Sequence, residues 1–308
     1  MLECKKVIVT QLNSSTPRKV IDMPKEKSKT ENILIKAKKA VVDKVNDISA
    51  EDIIQQAMKL PIVNVNREKF LRKELIRYYP EDVVNLAITK NPAYAGIEKE
   101  RINEISKQVI NYETNKVSAI SFVAGMPGGL AMAATVPADI AQYFGYMIRI
   151  MQKLAYLYGF EDFELNEETI SDETMNQIMV FLGVMFGVQG ANAGVKKIAE
   201  AAAKKVSKSL AQKALTKGTI YPVVKKIAQA VGIRMTKQIF AESVSKVVPV
   251  IGGVVTGGLS YATFKPCAKK LKNSFKDLYL CDPQYYKELQ EQNIIDVDAQ
   301  IFDGDKSK

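Results

Sequence analysis

The chain has 308 residues, 25% of them charged, and a formal net charge of +10. Its mean hydropathy of −0.09 is ordinary for a globular chain and far below that of a multi-span transporter. It contains no histidine, which excludes Ser-His-Asp, Cys-His and His-based zinc chemistry together.

The opening MLECKKVIVTQLN offers only Val7-Ile8-Val9 where a secretory signal needs a longer apolar run, so a cytoplasmic location is expected. Cys4, Cys267 and Cys281 are widely spaced, without a CxxC pair, and are expected as thiols rather than a disulfide framework.

Residues 1–30 read as a polar N-terminal arm, with one short strand over 5–12 and many lysines. Helical periodicity then takes over, and an all-α domain is predicted over 31–280. Ser49-Ala50-Glu51-Asp52 has the form of a capping box, opening a helix that Pro61 stops. Asn66 is placed to cap the next helix, whose apolar positions Phe70, Leu71, Leu75 and Ile76 run up to Pro80. A third helix is predicted from 81 to 90, before Asn91-Pro92. Ile97, Ile102, Ile105, Val109 and Ile110 form a fourth amphipathic pattern.

From 117 to 138 there are 22 consecutive residues without a charge. As one helix they would span roughly 33 Å, enough to cross a bilayer. Gly125-Met126-Pro127-Gly128-Gly129 stands in the centre, and two shorter pieces around a turn are predicted instead. Pro137 is placed to start the next helix and Gly159 to end it. Ile140, Phe144, Met147, Met151, Leu154 and Tyr158 recur at heptad-like spacing, a stripe that needs a partner inside the protein, because Arg149 and Lys153 on the same helix would be costly in hydrocarbon. Asp139 falls in the first turn, as a dipole-compensating acid or a buried polar anchor.

The run 161–173 carries seven acidic residues and no basic one. It lacks EF-hand spacing, and acids in the first turn of a helix account for it without a cation. The aromatics Tyr143, Phe144, Tyr146, Tyr156, Tyr158, Phe160 and Phe163 are expected to fill a core. Beyond 280 a polar, acidic tail is predicted to 308.

Two patterns point towards function. Each of three uncharged segments contains glycines four apart, Gly125/Gly129, Gly183/Gly187 and Gly253/Gly257, a spacing that allows close helix packing in a membrane or in a tight bundle. Between 196 and 246 there are 12 basic residues and two acidic ones, a local +10 that equals the charge of the whole chain. On a helical wheel Lys196, Lys197, Lys204, Lys205 and Lys208 share one side, with Ile198, Ala199, Ala202 and Val206 opposite. Such a helix can lie on an anionic membrane with its apolar side at the headgroup boundary. Nucleic acid is disfavoured, since the block has one arginine and few aromatic rings. No GxGxxG, GxxxxGK[ST], GxSxG or HExxH motif occurs, and neither an enzymatic activity nor a cofactor or metal is expected.

Three stretches together resemble the EcsC family. They are GMPGGLAMAATVPADIAQYFGYMIRIMQKLAYLYGF over 125–160, the helix running into Gly183-Val184-Met185-Phe186-Gly187, and VPVIGGVVTGGLSYATF over 248–264. The resemblance implies a bacterial, helical, hydrophobic protein that associates with membranes, and it carries over no catalytic residue. The expected function is therefore a non-enzymatic protein peripheral to the inner face of the cell membrane, accessory to a transport or envelope system and in contact with a membrane protein. A helical module for a lipid-like ligand and a membrane-permeabilising effector are the alternatives.

Overall fold

A computed structural model describes residues 50–125, 136–165, 170–207 and 251–291. Among these there are nine helices and no strand, so the fold is all-α as predicted. The helices are α1 (Ala50–Met58), α2 (Arg67–Leu75), α3 (Glu81–Thr89), α4 (Lys99–Gly125), α5 (Val136–Leu157), α6 (Asp172–Phe186), α7 (Ala191–Ser207), α8 (Ile251–Phe275) and α9 (283–291). Short 3-10 turns stand at Pro61–Val63 and Tyr279–Cys281. The arm over 1–30, the turn at 126–129 and Lys208 lie outside the described residues.

Local signals set the helix ends. The Asn66 side chain accepts a hydrogen bond from the Lys69 amide at 2.8 Å, satisfying one of the donors that every helix start leaves open. Pro80 caps α3, and Glu81 and Asp82 fill its first turn, where the helix dipole favours acids. Ser171 caps α6 by accepting from the Thr174 amide at 3.1 Å. Past α5, Gly159 sits at φ +91°, and a side chain there would meet the Leu280 carbonyl oxygen at 3.0 Å. Only glycine fits both the conformation and the space.

α5 is the axis of the fold. From 144 to 158 every residue is buried except the half-buried Arg149, because α1, α2, α4, α6, α8 and the Pro61–Val63 turn all pack around it. A helix apolar on nearly all sides has to be enclosed in this way. The predicted stripe is buried at Phe144, Met147, Met151, Leu154 and Tyr158, as are the predicted stripe residues Ile97, Ile102, Ile105, Val109 and Ile110 at and before α4.

α4 and α8 form the longest contact and run antiparallel, since Asn103 meets Lys272 and Lys99 pairs with Asp282 at 2.8 Å. Phe160, Phe181 and Phe275 join the ends of α5, α6 and α8, with ring centroids 4.9–5.1 Å apart. Offset and edge-on pairs of this kind add about 0.5–1.5 kcal/mol each beyond their buried area.

The stretch after 280, predicted as a polar tail, contributes to the core. α9 buries Tyr286, whose hydroxyl accepts from Asn91 Nδ2 at 2.8 Å, and Cys281 is buried with its thiol donating to the Phe275 carbonyl at 3.0 Å. Apolar residues sit too sparsely there for periodicity to register, and the segment is held by long-range polar contacts instead.

Candidate functional site

α7 is the described part of the predicted basic block. Val195, Ile198, Ala199 and Ala203 are buried on one side, and Lys196, Lys197 and Glu200 are exposed on the other. Gly194 brings this helix close to α6: a Cβ added there would lie 3.0 Å from Val180 Cγ1. The predicted separation of lysine from apolar residues is present, but the apolar side of these turns is occupied by the protein's own core. Along these turns that side is therefore covered by protein and is not open for insertion at a lipid headgroup boundary. Lys204 and Lys205 follow on the last two turns of the same helix.

The predicted glycines occupy different positions. Gly125 is the last residue of α4, and Gly253 and Gly257 stand in the first two turns of α8. Gly183 is buried within α6, whereas Gly187 adopts φ +68° and closes that helix, its amide donating to the Gly183 and Val184 carbonyls. The four-residue spacing of this pair therefore ends at a left-handed cap and does not continue along one face. Asp139 lies in the first turn of α5.

A second basic face lies on α8, outside the block that net-charge arithmetic singles out. Lys265, Lys269 and Lys272, with Lys276 one residue past the end of α8 and its amide still donating to the Lys272 carbonyl, recur at spacings of four, three and four, which puts them on one side. The Lys272 stem is buried, leaving the residue 9% exposed, and its amine reaches to 3.5 Å from Asn103 Oδ1 on α4, an oxygen that already accepts from the Tyr158 hydroxyl at 2.8 Å. Lys107 stands one turn further along α4, beside the same seam. Burial, together with the charges of Lys107, Lys276 and Lys269, holds the Lys272 pKa below its ordinary value. Among the described residues no carboxylate pairs with Lys107, Lys269 or Lys272, and Lys276 has only the exposed Asp277 at 4.0 Å. The sequence carried the signal as five lysines and no acid from 265 to 276. Totalling charge over longer stretches hides it, because acids elsewhere cancel it in sum but not in place.

The interior holds a contrasting group. Glu113 of α4 is buried, and its carboxylate takes Lys153 of α5 on one oxygen and stands 3.5 Å from Arg149 Nε on the other. That Nε makes an ion pair without hydrogen-bond geometry, while the Arg149 Nη1 donates to the Ile62 carbonyl at 2.9 Å. Gln152 donates to the Val63 carbonyl at 2.6 Å. Burial lowers the Lys153 pKa and Glu113 opposes the shift. Arg67 works similarly at the surface, its guanidinium donating to the carbonyls of Ile88 and Phe160 at 2.5 and 3.2 Å, near the ends of α3 and α5 where cations are favoured. These groups lock helices together. Sequence reasoning keeps Arg149 and Lys153 out of hydrocarbon but does not find Glu113, 36 residues and one helix away from the nearer of the two.

Among the described residues no helix is long and apolar enough to cross a membrane. No family model matches the chain, and no curated protein or solved structure matches it either.

Proposed function

We propose that the chain is a non-enzymatic, EcsC-type protein that attaches peripherally to an anionic membrane surface through lysine-rich helical faces. The observation that carries this reading is the exposure of Lys196 and Lys197 on α7, unpaired with any described carboxylate, directly opposite a buried apolar side. The absence of a spanning helix among the described residues fits attachment better than insertion. Lysine suits the role, as a compact hydrated charge contributes about 1 kcal/mol near an anionic leaflet without needing a shaped partner.

Flotation with vesicles tests the reading. Vesicles of phosphatidylglycerol and phosphatidylcholine should carry the protein at low salt and release most of it at 0.15 M, where the Debye length is about 8 Å. Pure phosphatidylcholine should not carry it. Capture that is indifferent to lipid charge and to salt would reject the proposal, and tighter capture by RNA or DNA would move the protein to a nucleic-acid class.

A further inference from the structure

We infer that the seam between α4 and α8 is a phosphate-binding site, with Lys107, Lys269, Lys272 and Lys276 as its cations. The site is distinct from the α7 lysines, and it rests on the membrane reading only where a lipid headgroup supplies the phosphate.

Several cations of the fold are paired with its own carboxylates. Lys153 and Arg149 share Glu113, Lys99 takes Asp282, Arg101 takes Glu104, and Arg72 has Glu68 and Glu81. At the seam Lys107, Lys269 and Lys272 gather with no described carboxylate paired to them. A lysine with a buried stem points its amine at the one neutral oxygen in reach, Asn103 Oδ1, and has lysines on every charged side. The antiparallel register fixes why they meet: with Asn103 beside Lys272, the next turn of α4 carries Lys107 to the turn of α8 that carries Lys269. Like charges gathered on a rigid helix pair repel, and a multivalent anion converts that repulsion into attraction.

The chemistry of the cations narrows the anion. Four amines are point charges with three donors each, and none offers the flat fork with which arginine grips a carboxylate. A phosphate monoester presents several oxygens and up to two charges in one small group, so a single ligand can accept from two or more of these amines. Phosphatidic acid, a lipid with a terminal phosphate, and soluble phosphate monoesters share this chemistry.

Thermal melting of the full chain in inorganic phosphate, against sodium chloride of equal ionic strength, reads the site directly. Phosphate should raise Tm by several degrees beyond chloride, since a ligand bound by the folded state stabilises it by mass action. Lys107→Gln and Lys272→Met should each weaken phosphate binding at least tenfold, while the Lys196→Gln/Lys197→Gln pair should not. Lys272→Met keeps the buried stem, and Lys107 is exposed, so its variant reads the site independently of packing. Flotation with vesicles of phosphatidic acid and phosphatidylcholine separates the sources. If Lys107→Gln lowers vesicle capture the site takes headgroups, and if it lowers only the response to free phosphate the site takes a soluble ester. Parent and variants that respond alike to phosphate and chloride, and that float alike, would overturn the inference. The membrane reading fails on a different result, flotation untouched by salt and by the Lys196/Lys197 changes.

Discussion

Two groups of cations in this protein sit behind buried side-chain stems, and they are neutralised in opposite ways. Around Glu113 the core supplies a carboxylate to Lys153 and Arg149 and completes the group with backbone carbonyls. Along the α4–α8 seam Lys272 has an amide oxygen and other lysines. Burial lowers the pKa of both lysines, but Lys153 has a carboxylate of the fold to oppose the shift, whereas Lys272 has only further lysines, the place where the anion proposed above would bind. The lesson is where to look for function in a chain without catalytic motifs: at the charges that the fold leaves unbalanced.

The largest effect should come from breaking the balanced group. Glu113→Ala leaves the buried Lys153 and the half-buried Arg149 without their anion and should cost about 3–5 kcal/mol in chemical denaturation. Replacing Glu113 and Lys153 together by apolar residues should cost less, since only the half-buried Arg149 then loses its anion and it keeps the Ile62 carbonyl. Equal losses in the two variants would show that Glu113 acts by packing alone.

Alkaline pH offers the next test. Burial raises the pKa of Tyr156, Tyr158, Tyr286 and Cys281 above their ordinary values. The folded state therefore holds protons that the unfolded state gives up first, so the stability from these groups is intact below about pH 9 and is lost as pH climbs past 10. Each contributes a slope of about 1.4 kcal/mol per pH unit there. Lys153 and Lys272 act the other way, their lowered values making the folded state the weaker proton binder. Tyr79 and Tyr146 are raised in the same way, so six such groups stand against the two lysines and melting temperature should fall between pH 10 and 12. A flat or rising profile would place the lysines in control.

How much of this was legible beforehand follows sequence distance. The Asn66 cap, the Pro80 start, the Gly159 end and the α5 stripe depend on residues within a few turns of one another, and each stands where local chemistry puts it. The burial of Tyr286 depends on Asn91, and the seam on Asn103 meeting Lys272, contacts spanning more than 160 residues. Periodicity cannot register such pairings, because it says which side of a helix is apolar and not which helix will cover it. The basic block was legible as charge, but the fate of its apolar side was not, since Val195, Ile198 and Ala199 look the same whether lipid or protein receives them.

Attachment through α7 should respond on a smaller scale. Lys196→Gln with Lys197→Gln removes two exposed charges and should weaken capture by anionic vesicles by about 2 kcal/mol if both reach the surface. Stability should be unchanged, because neither lysine has a partner among the described residues.

The smallest effect sharpens the comparison most, because its sign is reversed. In protein free of phosphate, Lys272→Met removes one charge from a group that holds only positive ones and keeps an unbranched stem of similar length in the same slot. The lost hydrogen bond to Asn103 is long, at 3.5 Å, and Asn103 Oδ1 keeps the Tyr158 hydroxyl, so no buried acceptor is stranded. Relief of repulsion and loss of that contact then nearly cancel, and the variant should melt within about 1 kcal/mol of the parent, on the stable side. The same chemical change at Lys153, Lys153→Met, strips Glu113 of its closest partner and should destabilise. Two lysines, both on long helices and both 9% exposed, would thus respond in opposite directions. Equal losses at the two positions would mean that Lys272 is balanced by the fold after all, and that the seam needs no anion.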